Sequence, residues 1–260
     1  MILYVSGTGN TKFVAEYIAD HVGDECVNLN DIIKYKQPLR FNSVKPFVIA
    51  APIYASAYPR LIEKVFEKGE FTGSEQVYFI TTMGAGTGAF EVTLEKLADQ
   101  KDMAYMGACG VPMPNNYIAG SDLPSAEEAE KKIQASLPLM KELSEHILAG
   151  EMIEKYDRGS FFPPLSRAVN VLFTKFFMSS SGYTVSSNCV SCGKCEEVCP
   201  VNNVKLSPAG VPHFDHYCMA CYGCINRCPM NAINIGKKTE KRNRYVCPEY
   251  SDWKKRGLIE

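Results

Sequence analysis

Ile2-Leu3-Tyr4-Val5 is followed at once by Ser6-Gly7-Thr8-Gly9-Asn10-Thr11, and a helical pattern begins directly after this stretch. The apolar run predicts a buried strand, and the two glycines let the backbone approach a ligand closely. A helix that starts here leaves its first N–H groups free and directs its positive dipole end at the loop. Hydroxyl and amide side chains add further donors, so the loop predicts a site for a terminal phosphate.

Two other kinds of phosphate loop do not match this stretch. The nucleoside-triphosphate loop ends in Gly-Lys-Ser/Thr, which is missing here, and no lysine stands where the outer phosphates would need one. The dinucleotide loop needs a third glycine, and that position holds Lys12, although Asp31 lies at the sequence distance typical of a ribose contact. The stretch therefore favours a phosphate monoester.

Short apolar runs alternate with helical patterns through residues 1–150. This alternation is typical of a parallel sheet that is covered by helices on both faces. A last helix begins with the capping box of Ser125 and Glu128 and ends at Gly150. The five predicted strands are 2–5, 25–29, 47–51, 77–82 and 103–108.

Eight of the eleven cysteines form two copies of one pattern, C-x2-C-x2-C-x3-C-P, at a constant offset of 29 residues. In this pattern, which is typical of bacterial ferredoxins, three cysteines hold one [4Fe-4S] cluster and the fourth holds the other cluster. We therefore expect one cluster on Cys189, Cys192, Cys195 and Cys228, and a second cluster on Cys199, Cys218, Cys221 and Cys224. Structural zinc is the alternative, but zinc takes four ligands from two separated pairs.

With both motifs in place, the chain resembles the bacterial flavodoxin-ferredoxin fusion proteins called ferrodoxins, and its first loop resembles the FMN-phosphate loop of flavodoxins. The resemblance implies an α/β fold, a flavodoxin-like doubly wound five-stranded parallel sheet of strand order 2-1-3-4-5. It also implies a small α+β bacterial-type two-[4Fe-4S] ferredoxin domain. FMN is then the third cofactor beside the two clusters, bound at the carboxyl ends of strands one and three.

The resemblance further implies which loops contact the flavin ring. Tyr54, after strand three, is the expected stacking residue, and the alternative is an ordinary surface tyrosine. The segment 113–117 borders the outer edge of the flavin or a substrate pocket, or it is an ordinary loop. The residues assigned to FMN are Ser6, Gly7, Thr8, Gly9, Asn10 and Thr11 for the phosphate, and Pro52, Ile53, Tyr54, Ala55, Thr82, Met83, Gly84, Ala85 and Gly86 for the ring.

The predicted organisation has four parts: a flavodoxin-like FMN-binding domain (1–150), a connecting segment (151–185), a two-[4Fe-4S] ferredoxin domain (186–236) and a basic tail (237–260). The connecting segment contains an apolar helical face around Phe173, which we expect to pack against both domains rather than on a membrane surface. The tail has eight basic residues against four acids, with interleaved aromatic residues. A solvated strap along the cluster domain is favoured over nucleic-acid binding, because no recognised binding motif accompanies the charge.

The composition is ordinary for a soluble globular protein, with 46% hydrophobic and 22% charged residues. No stretch has the length of a membrane span and no signal-peptide pattern is present, so we expect no membrane span and a cytoplasmic, reducing location. Cys26, Cys109 and Cys247 have no ligand spacing and are predicted to be buried structural thiols.

These observations favour an electron-transfer protein that exchanges electrons with redox protein partners and binds no nucleic acid. The alternative is an FMN-dependent reductase of a small molecule or of a partner's cofactor, and a redox sensor stays open as a third class. No Ser/His/Asp group or carboxylate pair indicates a catalytic residue, and none of the four histidines lies in a predicted flavin loop. We expect a cluster edge to face the FMN near Tyr54, while the phosphate loop and the clusters draw on separate segments.

Overall fold

The computed structural model describes residues 1–54, 58–84, 91–154 and 178–259, and the side chains of residues 91 and 92 are not described. The residues up to 154 form the part that we call the sheet unit. In chain order its elements are β1 (Ile2–Tyr4), α1 (Asn10–Val22), β2 (Cys26–Asn28), α2 (Leu29–Lys34), β3 (Arg40–Ser43), β4 (Phe47–Pro52), α3 (Arg60–Lys68), β5 (Glu70–Gly73), β6 (Gln76–Met83), α4 (Glu91–Asp99), β7 (Ala104–Pro112) and α5 (Ala126–Ala149).

Five of these strands form one parallel sheet in the order β2-β1-β4-β6-β7. The predicted flavodoxin-like sheet is confirmed, although β7 continues to Pro112 instead of ending at residue 108. The sequence analysis missed a second, two-stranded parallel sheet of β3 and β5. Each of these short strands contains a single large apolar residue, Phe41 or Phe71, and such a pattern does not stand out in a sequence.

The residues of β1 and the following Val5 alternate between two separate apolar layers. Ile2 and Tyr4 belong to the layer that contains α1 and α5, whereas Leu3 and Val5 belong to the layer that contains α3 and α4. A sheet buried on both faces explains why the strands are almost continuously apolar. The predicted capping box at Ser125 is confirmed, because the Glu128 amide donates to the Ser125 hydroxyl and the Glu128 carboxylate accepts from the Ser125 amide.

Residues 183–235 form a smaller part that we call the cysteine unit. Its elements are β8 (Tyr183–Val185), α6 (Lys194–Glu197), β9 (Val204–Leu206), β10 (Pro212–Phe214), α7 (Gly223–Asn226) and β11 (Ile233–Ile235). Each strand and helix of the first half recurs in the second half at the same offset of 29 residues as the cysteines. Since β8 pairs with β11 and β9 pairs with β10, both antiparallel, the two repeats are interlocked.

The C-terminal segment differs from the solvated strap that we expected. It contains α8 (Tyr250–Lys255), which packs on α1 of the sheet unit. Trp253 is fully buried, and its ring lies edge-on to Phe13 with 5.2 Å between ring centroids. Three aromatic residues of this part of the chain (residues 240–259, the C-terminal strap), Tyr245, Tyr250 and Trp253, are buried in the core, whereas its basic residues Lys254, Lys255 and Arg256 are exposed.

Two predictions concerning membranes and the connecting segment have different outcomes. Among the described residues, no helix combines the length and the apolar character that a membrane crossing requires. The apolar helical face predicted around Phe173 lies outside the described residues.

Candidate cofactor sites at the contact of the two units

Four cysteines from both repeats surround one cavity of the cysteine unit, the first cysteine cavity. Its lining includes Cys189, Cys192, Cys195 and Cys228. The amide of Ala232 donates a hydrogen bond to the sulfur of Cys228 over 3.3 Å. The three leading cysteines of the first repeat thus meet the last cysteine of the second.

The other four cysteines surround a second cavity of similar extent, the second cysteine cavity. Its cysteines are Cys199, Cys218, Cys221 and Cys224. The amides of Asn203 and Ala220 donate to the sulfurs of Cys199 and Cys218 over 3.2 and 3.3 Å. Hydrogen bonds of this kind favour the thiolate form of a cysteine, which is the form that binds metal.

The chemistry of the second cavity fits a metal cluster. Burial raises the pKa of the Cys221 thiol to about 12 and that of Cys224 well above its ordinary value. The positive charge of coordinated iron would favour the thiolate form of these sulfurs. In the described residues, no group of His, Cys, Asp or Glu is arranged to hold a single metal ion. Four sulfurs around a cavity instead suit a cluster with an iron at each corner.

The loop between β1 and α1 has the conformation of a phosphate cradle. Gly9 has φ 106°, a left-handed value that favours glycine, and its amide donates to the Ser6 hydroxyl over 3.1 Å. The first N–H groups of a helix are in general left without partners inside the helix, and they suit an anion. The backbone of the loop therefore fits a phosphate group.

The buried side chains of this loop hold it against its neighbours. Thr8 accepts a hydrogen bond from the Asn116 amide over 2.7 Å, and the hydroxyls of Thr11 and Thr82 lie 2.8 Å apart. Asn10 donates to the carbonyl of Pro114 over 2.7 Å. These bonds join the loop to the chain segments that follow β6 and β7, so the carboxyl ends of several strands are fixed together.

A pocket lies beside this loop, at the carboxyl ends of β4, β6 and β7. We call it the strand-end pocket. Most predicted ring-contact residues line it, whereas Ala55, Ala85 and Gly86 lie outside the described residues. The segment 113–117, which the sequence left open, contributes four of its residues to this lining. The lining consists of Asn10, Pro52, Ile53, Tyr54, Thr82, Met83, Gly84, Pro114, Asn115, Asn116, Tyr117, Ala220 and Tyr222.

Tyr54 lies close to the cysteine unit. Burial raises the pKa of its phenol well above the ordinary value, and Cys221 and Tyr222 are among the neighbouring groups that raise it further. The last two members of the lining, Ala220 and Tyr222, flank Cys221 in the second cysteine cavity. The pocket is therefore built by both units.

The phosphate loop and the second cysteine cavity touch directly. A Cβ atom added to Gly7 would lie only 2.6 Å from the carbonyl oxygen of Cys221 and 2.8 Å from its Cβ. Arg227 donates from Nε to the carbonyl of Gly7 over 3.1 Å. The two predicted sites lie on separate segments of the chain, but these segments are in contact, because the backbone of Cys221 packs against Gly7.

The C-terminal strap completes the surroundings of the loop. The amide of Cys247 donates to the carbonyl of Thr8 over 2.8 Å, and the hydroxyl of Tyr245 donates to Oδ1 of Asn10 over 2.7 Å. Sequence reasoning missed Tyr245 because a hydrogen bond across more than 200 residues leaves no local pattern. It also missed Ala220 and Tyr222, although the comparison of the repeats contains a signal: Tyr222 stands where the first repeat has Gly193.

Comparison with known proteins matches both units. One family model, described as a flavodoxin domain, matches residues 1–108, and another, described as a 4Fe-4S binding domain, matches residues 183–205. No curated protein matches the chain.

Three similar solved structures each cover somewhat more than half of this chain. A flavodoxin from the domain Archaea is 14% identical, with a TM-score of 0.34, and the match covers 56% of this chain and 96% of that one. The flavodoxin of Megasphaera elsdenii is 18% identical, with a TM-score of 0.34 and coverage of 57% and 99%. General stress protein 14 of Treponema denticola, solved in complex with FMN, is 11% identical, with a TM-score of 0.32 and coverage of 55% and 98%. The family models and the sheet topology thus show a flavodoxin-like fold, in which residues 1–108 are similar to flavodoxin domains and residues 183–205 are similar to 4Fe-4S binding domains.

Proposed function

We propose that the chain is an electron-transfer flavoprotein that couples two [4Fe-4S] clusters to one FMN within a single molecule. The first cluster is held by Cys189, Cys192, Cys195 and Cys228, the second by Cys199, Cys218, Cys221 and Cys224, and the FMN by the phosphate loop and the strand-end pocket. When bound, the clusters exchange single electrons, whereas the flavin accepts one or two. The protein supplies the positions of these groups and their surroundings.

One observation carries this proposal: Tyr222 lines both the second cysteine cavity and the strand-end pocket. The space for a cluster and the space for a flavin ring thus share a lining residue. The contact of Cys221 with Gly7 holds the two sites together on the phosphate side as well. Coupling within the molecule needs such a fixed and short separation, which two freely moving units would lack.

The first cysteine cavity is the place where a redox partner protein exchanges electrons with the chain. Cys192 is exposed, and the neighbouring Val190 and Met230 are exposed apolar residues. Apolar side chains around an accessible ligand suit brief contact with another protein surface. A reducing, cytoplasmic compartment fits this role, since the ligand cysteines have to stay free of disulfides.

Anaerobic purification followed by rapid mixing tests the proposal. The full chain is expected to contain about eight irons, eight sulfides and one FMN. After mixing with a one-electron reductant, the flavin absorbance is expected to fall at a rate that does not change when the protein concentration is varied. A rate that rises with protein concentration would mean that electrons pass between molecules, and turnover of a small molecule by the chain alone would favour a reductase.

A further inference from the structure

Tyr222 has a backbone conformation that a tyrosine rarely adopts. Its φ is 54°, in the left-handed region that favours glycine, and Gly193 occupies the same place in the first repeat with φ 75°. The neighbouring pair of Ser191 and Ala220 has matching values, 54° and 52°, so the two repeats share one loop conformation. The second repeat therefore carries a large side chain at a position where glycine would fit without strain. Strained residues of this kind concentrate at ligand and active sites.

Contacts on either side of Tyr222 fix where this side chain lies. A Cβ atom on Gly223 would lie 3.0 Å from the carbonyl oxygen of Gly7, and Cys221 also packs on Gly7. The backbone of 221–223 is thus seated on the phosphate loop, with no space for a shift. The ring of Tyr222 is buried and lies 5.6 Å from the ring of Tyr117, tilted by 53°. Both rings border the strand-end pocket.

We propose that Tyr222 is a flavin-binding residue that the cysteine unit contributes to the strand-end pocket. Its ring, together with that of Tyr117, forms an aromatic wall for the isoalloxazine ring, so the flavin site is complete only when the cysteine unit is docked. The inference rests on the proposed function. It adds a residue that the phosphate loop and the strand-end loops do not contain, and it makes FMN affinity depend on both units.

Substitutions of Tyr222 in the full chain distinguish a flavin-binding role of this residue from a role in packing alone. Tyr222→Gly removes the ring and relieves the backbone, because glycine adopts a left-handed φ freely. Tyr222→Phe keeps the ring and removes only the hydroxyl. Tyr217→Gly is the matched control, since Tyr217 is a tyrosine of the same unit with 81% of its surface exposed. The measurements are the FMN dissociation constant from quenching of flavin fluorescence, the iron content, and the flavin midpoint potential.

We expect Tyr222→Gly to raise the dissociation constant about tenfold and to shift the flavin potential, with the iron content unchanged. Tyr222→Phe and Tyr217→Gly are expected to bind FMN as the wild type does. Equal FMN binding by Tyr222→Gly and the wild type would overturn this inference but not the proposed function. A loss of FMN that is matched by a loss of iron would also overturn the inference. A wild-type chain that binds no FMN would overturn the proposed function itself.

Discussion

The two repeats of the cysteine unit have the same ligand pattern but very different surroundings. Val190 of the first repeat is 58% exposed, whereas its counterpart in the second repeat, Met219, is 7% exposed. Ser191 is exposed and its counterpart Ala220 is buried. These side chains face solvent in the first repeat, whereas in the second repeat they face the sheet unit.

The difference extends to the cysteines themselves. Burial raises the pKa of Cys218, Cys221 and Cys224 around the second cavity, whereas around the first cavity it does so for Cys195. The same cysteine spacing therefore has a different electrostatic environment in each repeat, because different residues pack against it. Iron-sulfur potentials respond to burial and hydrogen bonding of the sulfurs, so the two sites are expected to differ in potential.

The largest effect is expected from exchanging one ligand in each repeat. Cys221→Ser and Cys192→Ser occupy equivalent positions and should each remove about four irons per chain. Cys221→Ser should also abolish concentration-independent flavin reduction, because the second cavity adjoins the strand-end pocket. Cys192→Ser should leave FMN binding intact. Iron analysis, FMN titration and rapid mixing of both variants measure this, and identical behaviour of the two would contradict the asymmetry.

A smaller effect is expected from Gly7→Ala. The new methyl group would meet the backbone of Cys221 at 2.6 Å, and backbone atoms cannot rotate away as a side chain does. We expect a loss of about 1–3 kcal/mol in the free energy of unfolding, together with weaker FMN binding. Gly182→Ala is the control, since a Cβ there lies 3.7 Å from the nearest atom, an ordinary contact. Thermal and denaturant unfolding of both variants measure the loss, and equal stabilities would mean that the two units do not rest on each other at Gly7.

The smallest effect is expected from Tyr245→Phe in the C-terminal strap. This change removes the hydrogen bond to Asn10 Oδ1, which helps to hold the phosphate loop. A net hydrogen bond contributes about 1 kcal/mol, so FMN should bind about fivefold more weakly. Both clusters should remain, because the bond lies on the flavin side of the molecule. FMN titration and iron analysis measure these effects, and Tyr217→Phe, at an exposed tyrosine, is the control. Unchanged FMN affinity in Tyr245→Phe would show that the strap does not support the loop.

The sequence by itself predicted the parts of this protein that local patterns encode. The five parallel strands, the glycine loop before α1 and the capping box at Ser125 each depend on residues close together in the chain. The spacing of the cysteines likewise predicted their division into two crossed sets. Which metal they bind remains a prediction.

Only the tertiary structure decided how these parts meet. The β3–β5 sheet, the burial of Trp253, the seat of Cys221 on Gly7 and the position of Tyr222 between two cavities all join segments that are distant in sequence. Close approach between such segments depends on which surfaces pack together, and no periodicity or spacing along one segment carries that information. The basic tail shows the reason most clearly, because its charges indicated a solvated strap, while the free energy gained by burying its aromatic rings placed it against α1.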